Sequence, residues 1–583
     1  MEVHVSADGS DANPGTAAKP FATLMRARDA VRAARKGDTS VAARVIVHGG
    51  TYRLTATVEF GPQDGNCTYA AAEGTPVFSG GRVIAGFQAG EDGRWRVTIP
   101  DVKAGRWHFN ELFVNGRRRR RARHPDVGYF RVAAAGADQR TRFTFKPGDL
   151  RPYSRMSDCE LVFLHDWSTS RVRIASIGRK EPVVRLAAGV GANARHFRMT
   201  AFERHPRYFV ENAPELLSAA GEWYLDRLTG ELTYVPMAGE RIADVEVVAP
   251  ALRQLVRVAG DGPAGEFVEG LSFVGLSFEH CAFPRPKGGY PGVQAGFYEA
   301  RDEAGKPAGR TWQPAAVEFV AARQCGFEEG RIERVGATAI RLGGGCERNR
   351  IVGNVIRDCG GNGIMIGQAR HAPKATPRGN VVANNVVRDC GRQFFGSVGI
   401  WGGLVAETVI AHNEVSHLPY TGISVGWMWN TTPTACQKNR IEDNHIHHVM
   451  QVLSDGGGIY TLGRQPGTVI RRNHIHDVPR NAGRAESNGM FIDEGSSLLL
   501  IEANTIHAVD RSPIRFHKAT TNTIRGNTLE VGRGVRPFTF NACREDSMQF
   551  ADNRVVRAGG KPPEAPAGAG LEPPHRRLLP GPQ

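Results

Sequence analysis

One six-residue pattern recurs along the second half of the chain: an apolar residue, two variable positions, an asparagine, a variable position and an apolar residue. It reads IVGNVI at 351–356, VANNVV at 382–387, IAHNEV at 410–415 and IEDNHI at 441–446. It continues as IRRNHI at 470–475, IEANTI at 501–506 and IRGNTL at 524–529. The asparagines Asn354, Asn385, Asn413, Asn444, Asn473, Asn504 and Asn527 are 31, 28, 31, 29, 31 and 23 residues apart. A glycine–apolar pair keeps the same period: Gly363-Ile364, Gly399-Ile400, Gly422-Ile423, Gly458-Ile459 and Gly489-Met490, with Pro513-Ile514 in the next slot. Short apolar runs punctuated by Asn and Gly predict strands and turns. The period is too short for a propeller blade and lacks the paired helical patterns of an α-solenoid. Three short strands and three turns fill it, so the pattern predicts an all-β chain, a right-handed parallel β-helix of about ten coils.

Stacked at one turn, each asparagine amide can donate to and accept from its neighbour about 4.8 Å away. Such a ladder satisfies polar groups that would otherwise be buried unpaired. These asparagines are therefore read as scaffold. His447, His476 and His507 also recur at one position of the repeat, and periodicity accounts for them without a metal.

The flanks complete the architecture. KPFATLMRARDAVRAARKG, residues 19–37, carries Phe21, Leu24, Ala27, Val31 and Ala34 on one helical face. A helix there covers the open end of the first coil. ARVIVHGGTYRL, residues 43–54, reads as strand, turn and strand. Between about 85 and 245 the period vanishes, and segments such as ELFVNGRR and EWYLDRLTGELTYVP predict the hairpins of an inserted antiparallel β-domain. The expected organisation is a cap and first coils at 1–84, the insertion at 85–245, the β-helix with the active site at 246–560, and a Pro-rich, disordered tail at 561–583.

Composition narrows the function. The 70 glycines have no three-residue period, so they mark turns and not collagen. No run of 18 apolar residues exists, which excludes a membrane-spanning helix. Nine scattered cysteines without a CxxC predict neither a zinc site nor a disulfide framework, and Cys359 and Cys390 read as stacked core thiols. The net charge of +15 is partly concentrated in NGRRRRRARHP, residues 115–125. No recognition helix or RNA-binding signature accompanies it, so nucleic acid is not an expected partner. The run reads as a solvated basic hairpin, with contact to an anionic glycan as the alternative. The opening MEVHVSADGSDANPG has no basic and apolar leader, so the chain as written is expected in the cytoplasm, or outside it if the start is trimmed.

Candidate chemistry lies in two neighbouring repeats, SDGGGIYTLG at 454–463 and SNGMFIDEGSS at 487–497. Alternate residues of a strand face opposite sides. With Ile459 and Met490 inward, Tyr460, Phe491 and Asp493 face outward. The outward row through Tyr460 also holds Trp401 and Arg515, and His517 follows Asp493 one coil later. Aromatic faces beside carboxylates suit a sugar. Glycosidic hydrolysis generally uses two carboxyl groups, about 5–5.5 Å apart for retention and about 6.5–9.5 Å for inversion. Asp455 and Asp493 are the expected pair, with Glu494 the substitute if Asp493 caps the turn. Because they lie at opposite ends of their strands, a bulge at the three glycines after Asp455 is expected to bring them together. Arg515 and His517 are expected to contact substrate or to hold an acid's charge state.

The motifs VSADGSDANPGTAAKPFATLMRARDAVR, GGTYRL, ELFVNGRRRRRARHP, RYFVENAPELLSAAGEWYLDRLTGELTYVP, SDGGGIYTLGRQPGTVIRRNHIHDV and DEGSS together resemble glycoside hydrolase family 141 over roughly residues 3–556. The resemblance implies a β-helix joined to an inserted β-domain and hydrolysis of plant cell-wall glycans, with α-L-fucosidase and xylanase among the known activities. It favours a retaining mechanism, and it places His165 and Trp167, in HDWSTS, at the cleft. An oligo- or polysaccharide is the expected partner, and no cofactor or metal is expected. Two alternatives stay open: a polysaccharide lyase acting on uronates, and a glycan-binding β-helix without catalysis.

Overall fold

The computed structural model describes residues 1–580. Three long parallel sheets share one continuous apolar core. Among the described residues sheet I has 13 strands, sheet II 11 and sheet III 12. A single coil shows the path: Gly456–Thr461 in sheet II, Arg464–Arg471 in sheet I, His474–His476 in sheet III, then Ser487–Ile492 back in sheet II beside its predecessor. The stack is longer than the about ten coils the period implies, because strands such as Ala43–Val47 and Cys67–Ala71, ahead of the insertion, pair in register with the later ones.

Each six-residue pattern spans the end of a sheet I strand, a tight turn and the start of a sheet III strand. Its two apolar residues, such as Ile441 and Ile446, are wholly buried. The asparagine holds the turn. Asn444 Nδ2 donates to Asn473 Oδ1 and to the Ile410 carbonyl, each at 2.9 Å, while its Oδ1 accepts from the Asn413 backbone N–H at 3.1 Å and from Asn413 Nδ2 at 2.9 Å. The ladder is unbroken from Asn354 to Asn527 and runs on to Asn553. The residue before each rung is left-handed, from Arg472 at φ 51° to Gly353 at φ 72°. Ordinary L-residues resist that conformation by roughly 1–2 kcal/mol, so the amide bonds stabilise a turn that would otherwise open.

The N-terminal helix spans Leu24–Arg35, with Thr23 accepting from the Arg26 N–H at its start. Its buried stripe is Leu24, Ala27, Val31 and Arg35. Ala34, expected on that face, is exposed. Arg35 takes the place because its guanidinium reaches the carbonyls of Gly65 and Asn66 at 2.6 and 2.5 Å.

The chain leaves the coils near Gly81–Val83 and returns at Val247–Pro250, two strands that pair antiparallel. The insertion between them forms two largely antiparallel sheets. Three strands that sequence assigns to the β-helix, Tyr290–Gln294, Phe297–Arg301 and Pro307–Trp312, extend one of these sheets through the Arg171–Tyr290 pairing. Alternating polarity marks them as strands but does not name their partner.

The arginine run is the second strand of a hairpin, as expected, pairing antiparallel with Leu112–Val114, but most of its charges are paired and not left to solvent. Arg117–Arg121 is a strand whose side chains meet acids: Arg118 with Asp358 at 2.6 Å, Arg119 with Glu240 at 2.5 Å, Arg120 with Glu222 at 2.7 Å and Arg121 with Glu160 at 2.9 Å. A cavity of about 500 Å³ beside this run contains none of the predicted site residues. The Pro-rich tail also departs from its composition. The Gly570 N–H donates to the Asp443 carbonyl at 2.7 Å, Asn384 Nδ2 donates to Glu572 at 2.8 Å, and Leu571 is buried. The row of polar groups at the asparagine turns supplies the partners that keep 561–580 on the surface; 581–583 lie outside the described residues.

Candidate active site

Strand register stacks Met365, Trp401, Ser424, Tyr460, Phe491 and Arg515 in one row of sheet II. Ile400, Ile423, Ile459, Met490 and Ile514 alternate with them and are wholly buried in the coil. The row therefore faces outward, as alternation predicts. Yet Trp401, Tyr460 and Phe491 are only 1–3% exposed, because other elements roof the row. Phe297 and Trp427 lie on Trp401 with ring centroids at 5.0 and 5.3 Å. Tyr460 meets Phe491 edge-on, and the Arg515 guanidinium lies 4.3 Å over the Phe491 ring. Trp401 is thus packed beneath other aromatic rings and not open to a ligand.

Asp493 is held from both sides. Its Oδ2 accepts from the Tyr460 hydroxyl at 2.6 Å, and its Oδ1 lies 2.7 Å from His517 Nδ1. Asp455 accepts from Arg515 at 3.2 Å, and Arg515 is fixed in turn by Asn541 at 3.0 Å. Arg515 and His517 therefore touch the acids themselves. Burial, then the negative charge of Asp493, pushes the Asp455 carboxyl up to about 6, while Arg515 opposes the rise. Its side chain keeps 26% of its surface open to solvent. Glu494 turns to the rim, where Lys518 pairs with it at 2.9 Å.

The expected bulge is missing. Gly456 and Gly457 stay in register with Ser487 and Asn488. The turn comes from Asp455 itself, left-handed at φ 60°, and Arg515 reaches it from two coils on. The glycines serve packing instead: a Cβ on Gly458 would lie 2.6 Å from Ile475 Cγ2, and one on Gly457 2.8 Å from the Asn488 carbonyl oxygen.

The insertion grips this site through Asp166. Wholly buried, it accepts from the Arg484 N–H at 2.9 Å, Arg484 Nε at 3.1 Å and Ser454 Oγ at 3.1 Å, and its carbonyl accepts from the Ser454 N–H at 2.7 Å. Those contacts fix the residues just ahead of Asp455 and ahead of the Phe491 strand. His165, expected at the cleft, is buried in the insertion: it bonds Ser170 Oγ at 2.9 Å and stacks on Phe163. Burial, then Arg207, depresses its pKa to about 3. In the turn that follows the strand Glu160–Leu164, His165 faces the insertion's core and its neighbour Asp166 faces the coils. Trp167 packs on His196 and Phe197, and His196 feels the charge of Glu494, so this edge of the insertion faces the rim.

Several residues of the site carry no sequence signal of their own. The Tyr420 hydroxyl donates to the Asp455 carbonyl at 2.9 Å. Gln294 stands beside the hydroxyls of both Tyr420 and Tyr460. Trp429, 36% exposed, extends the Trp401–Trp427 stack at 4.9 Å. Its neighbour Asn430 lies against Gly495, at φ 76°, where a Cβ would overlap the Asn430 backbone. The one signal was GWMWN at 425–430 less its first residue, two tryptophans spaced by one. Asp493, Glu494 and His517 also converge closely enough to hold a cation, although each already has a protein partner.

Two family models match the chain. The right handed beta helix region matches residues 315–461 and 433–562, and the GH141 insertion domain matches residues 93–237. Among solved structures, one described as a glycoside hydrolase superposes with a TM-score of 0.80 at 24% identity, covering 99% of this chain and 100% of that one. The complex structure of XylC with xylose aligns at a TM-score of 0.49 and 14% identity, covering 96% and 86%. A rhamnogalacturonan lyase aligns at a TM-score of 0.31 and 12% identity, covering 97% and 89%. No curated protein matches the chain in sequence. The chain therefore carries the insertion domain of glycoside hydrolase family 141, set between the opening and the main coils of a right-handed β-helix.

Proposed function

We propose that the protein hydrolyses α-L-fucosidic or xylan-type linkages in plant cell-wall glycans with retention of configuration, Asp455 serving as general acid/base and Asp493 as nucleophile. The observation that carries this reading is the contrast between the two carboxyls. Asp455 keeps its proton up to about pH 6, whereas Asp493 is fixed by two partners, Tyr460 and His517. A carboxyl pushed up in pKa suits a general acid, and a neighbouring carboxylate held in place by two partners suits a nucleophile. Asp455 gives its proton to the glycosidic oxygen as the bond to the anomeric carbon breaks, and an Asp493 oxygen bonds that carbon. Asp455, now a carboxylate, takes a proton from water; the water oxygen displaces Asp493, and both acids return to their first state. Trp429, the exposed end of the aromatic stack, offers a sugar its ring face.

Aryl fucosides and xylosides test this directly. Asp455→Asn and Asp493→Asn are expected to lower turnover by at least about 100-fold with folding retained, and Asp455→Asn should be milder on substrates with good leaving groups. Near-normal turnover by both variants on a confirmed substrate would remove the pair from the mechanism. An unsaturated product would point to a lyase, and binding without release of any product to a non-catalytic module.

A further inference from the structure

Sheet III carries a second cluster, on a face the glycosidase reading does not use. His445–His447 and His474–His476 are paired strands, with His445 opposite His474 and His447 opposite His476. Ile446 and Ile475 between them are wholly buried, so all four imidazoles face out. Periodicity explains why they stack. It does not explain how their nitrogens are arranged.

His445 Nδ1 lies 2.7 Å from Glu414, and His476 Nδ1 lies 2.6 Å from Asp477. A carboxylate accepts, so both Nδ1 atoms carry the proton. In neutral imidazoles this leaves both Nε2 atoms as acceptors. Yet His445 Nε2 and His476 Nε2 face each other at 2.7 Å. Two lone pairs at that distance need a cation between or beside them, either an extra proton or a metal ion. A ligand nitrogen of His474 lies with theirs inside a 4.8 Å circle. A carboxylate on the far nitrogen, as His445 and His476 have, is the arrangement that orients histidines toward a metal.

We propose that His445, His474 and His476 bind one divalent transition-metal ion, zinc by preference, on the outer face of sheet III. Imidazole donors suit zinc, nickel and copper and not magnesium or calcium. Zn–N bonds of about 2.0–2.1 Å require nitrogens about 3.3 Å apart in a tetrahedron, so small rotations of these rings form three corners and water supplies the fourth. Glu414 and Asp477 act as positioning residues behind His445 and His476. The ion would tie two neighbouring coils together, remote from the sheet II acids.

The test uses the full-length protein, stripped with chelator and titrated with zinc near neutral pH, with bound metal counted after gel filtration. Cobalt serves as a second probe, since a tetrahedral site gives an intense visible spectrum. One zinc per chain is expected, with a higher unfolding midpoint in its presence. His476→Ala should weaken zinc binding by at least about 100-fold, and Glu414→Gln by about 10–100-fold. Asp493→Asn should leave zinc binding unchanged, which separates this site from the group at Asp493, Glu494 and His517. Failure of the wild-type chain to retain zinc, or wild-type affinity in both His476→Ala and His445→Ala, would overturn the site and leave a proton-bridged imidazole stack. If His476→Ala misfolds, Glu414→Gln carries the comparison.

Discussion

At the scale of single residues, the candidate site turns on how Asp455 is surrounded. Burial and the charge of Asp493 raise its pKa to about 6, and Arg515 limits the rise. A general acid works only while protonated, so the alkaline limb of kcat/KM is expected to fall through about pH 6. Removing the opposing positive charge in Arg515→Gln raises the Asp455 pKa further and moves that limb to higher pH. A limb that stays put or moves down would show that another group sets it. Linkage has the matching sign: with a folded-state pKa above the unfolded one, any stability from this carboxyl is complete below about pH 3.9 and is lost as pH rises through the folded value. Denaturation midpoints of wild type and Asp455→Asn across that window measure it.

At the scale of the repeated element, the asparagine ladder holds the turns between sheets I and III. Asn444→Ala removes an amide that serves the Ile410 carbonyl, Asn473, and both nitrogens of Asn413. Each buried group left unpaired costs about 1–3 kcal/mol, and the left-handed Asp443 before it loses its anchor. A clearly lower unfolding midpoint is expected in thermal or urea denaturation, with the far-ultraviolet spectrum of the native state retained. An unchanged midpoint would mean that the ladder follows the coil geometry without supporting it.

At the scale of the whole molecule, the insertion and the β-helix make one site between them. Asp166 grips Ser454 and Arg484, and Arg118 joins the two parts again at Asp358. Strands 290–312 leave the coils to extend the insertion's sheet and bring Gln294 and Phe297 over the sheet II row. Small displacements of catalytic groups are expensive, about 100-fold for 1 Å. Asp166→Ala is therefore expected to lower kcat by about 10–100-fold while leaving strand content intact. Wild-type kinetics in that variant would show that the insertion only borders the cleft.

The sequence by itself determined the coil. The spacing of Asn354 to Asn527 and the alternation about Ile459 and Met490 are local patterns, and every repeat meets the same neighbours above and below, so period alone sets register and side-chain direction. It also placed Asp455 and Asp493 on adjacent coils. The tertiary structure decided what covers that row. Alternation makes Trp401 outward, but only the fold brings Phe297 and Trp427 onto it. HDWSTS is polar or aromatic throughout, but only the docked insertion selects Asp166 over His165. The arginine run and the Pro-rich tail gave the same error with one cause. Composition measures how a segment meets water, whereas Asp358, Glu240, Glu222 and Glu160 for the one, and the asparagine turns for the other, come from positions far along the chain. Long-range pairing of this kind leaves no periodic trace, which is why the scaffold was legible and the roof of the site was not.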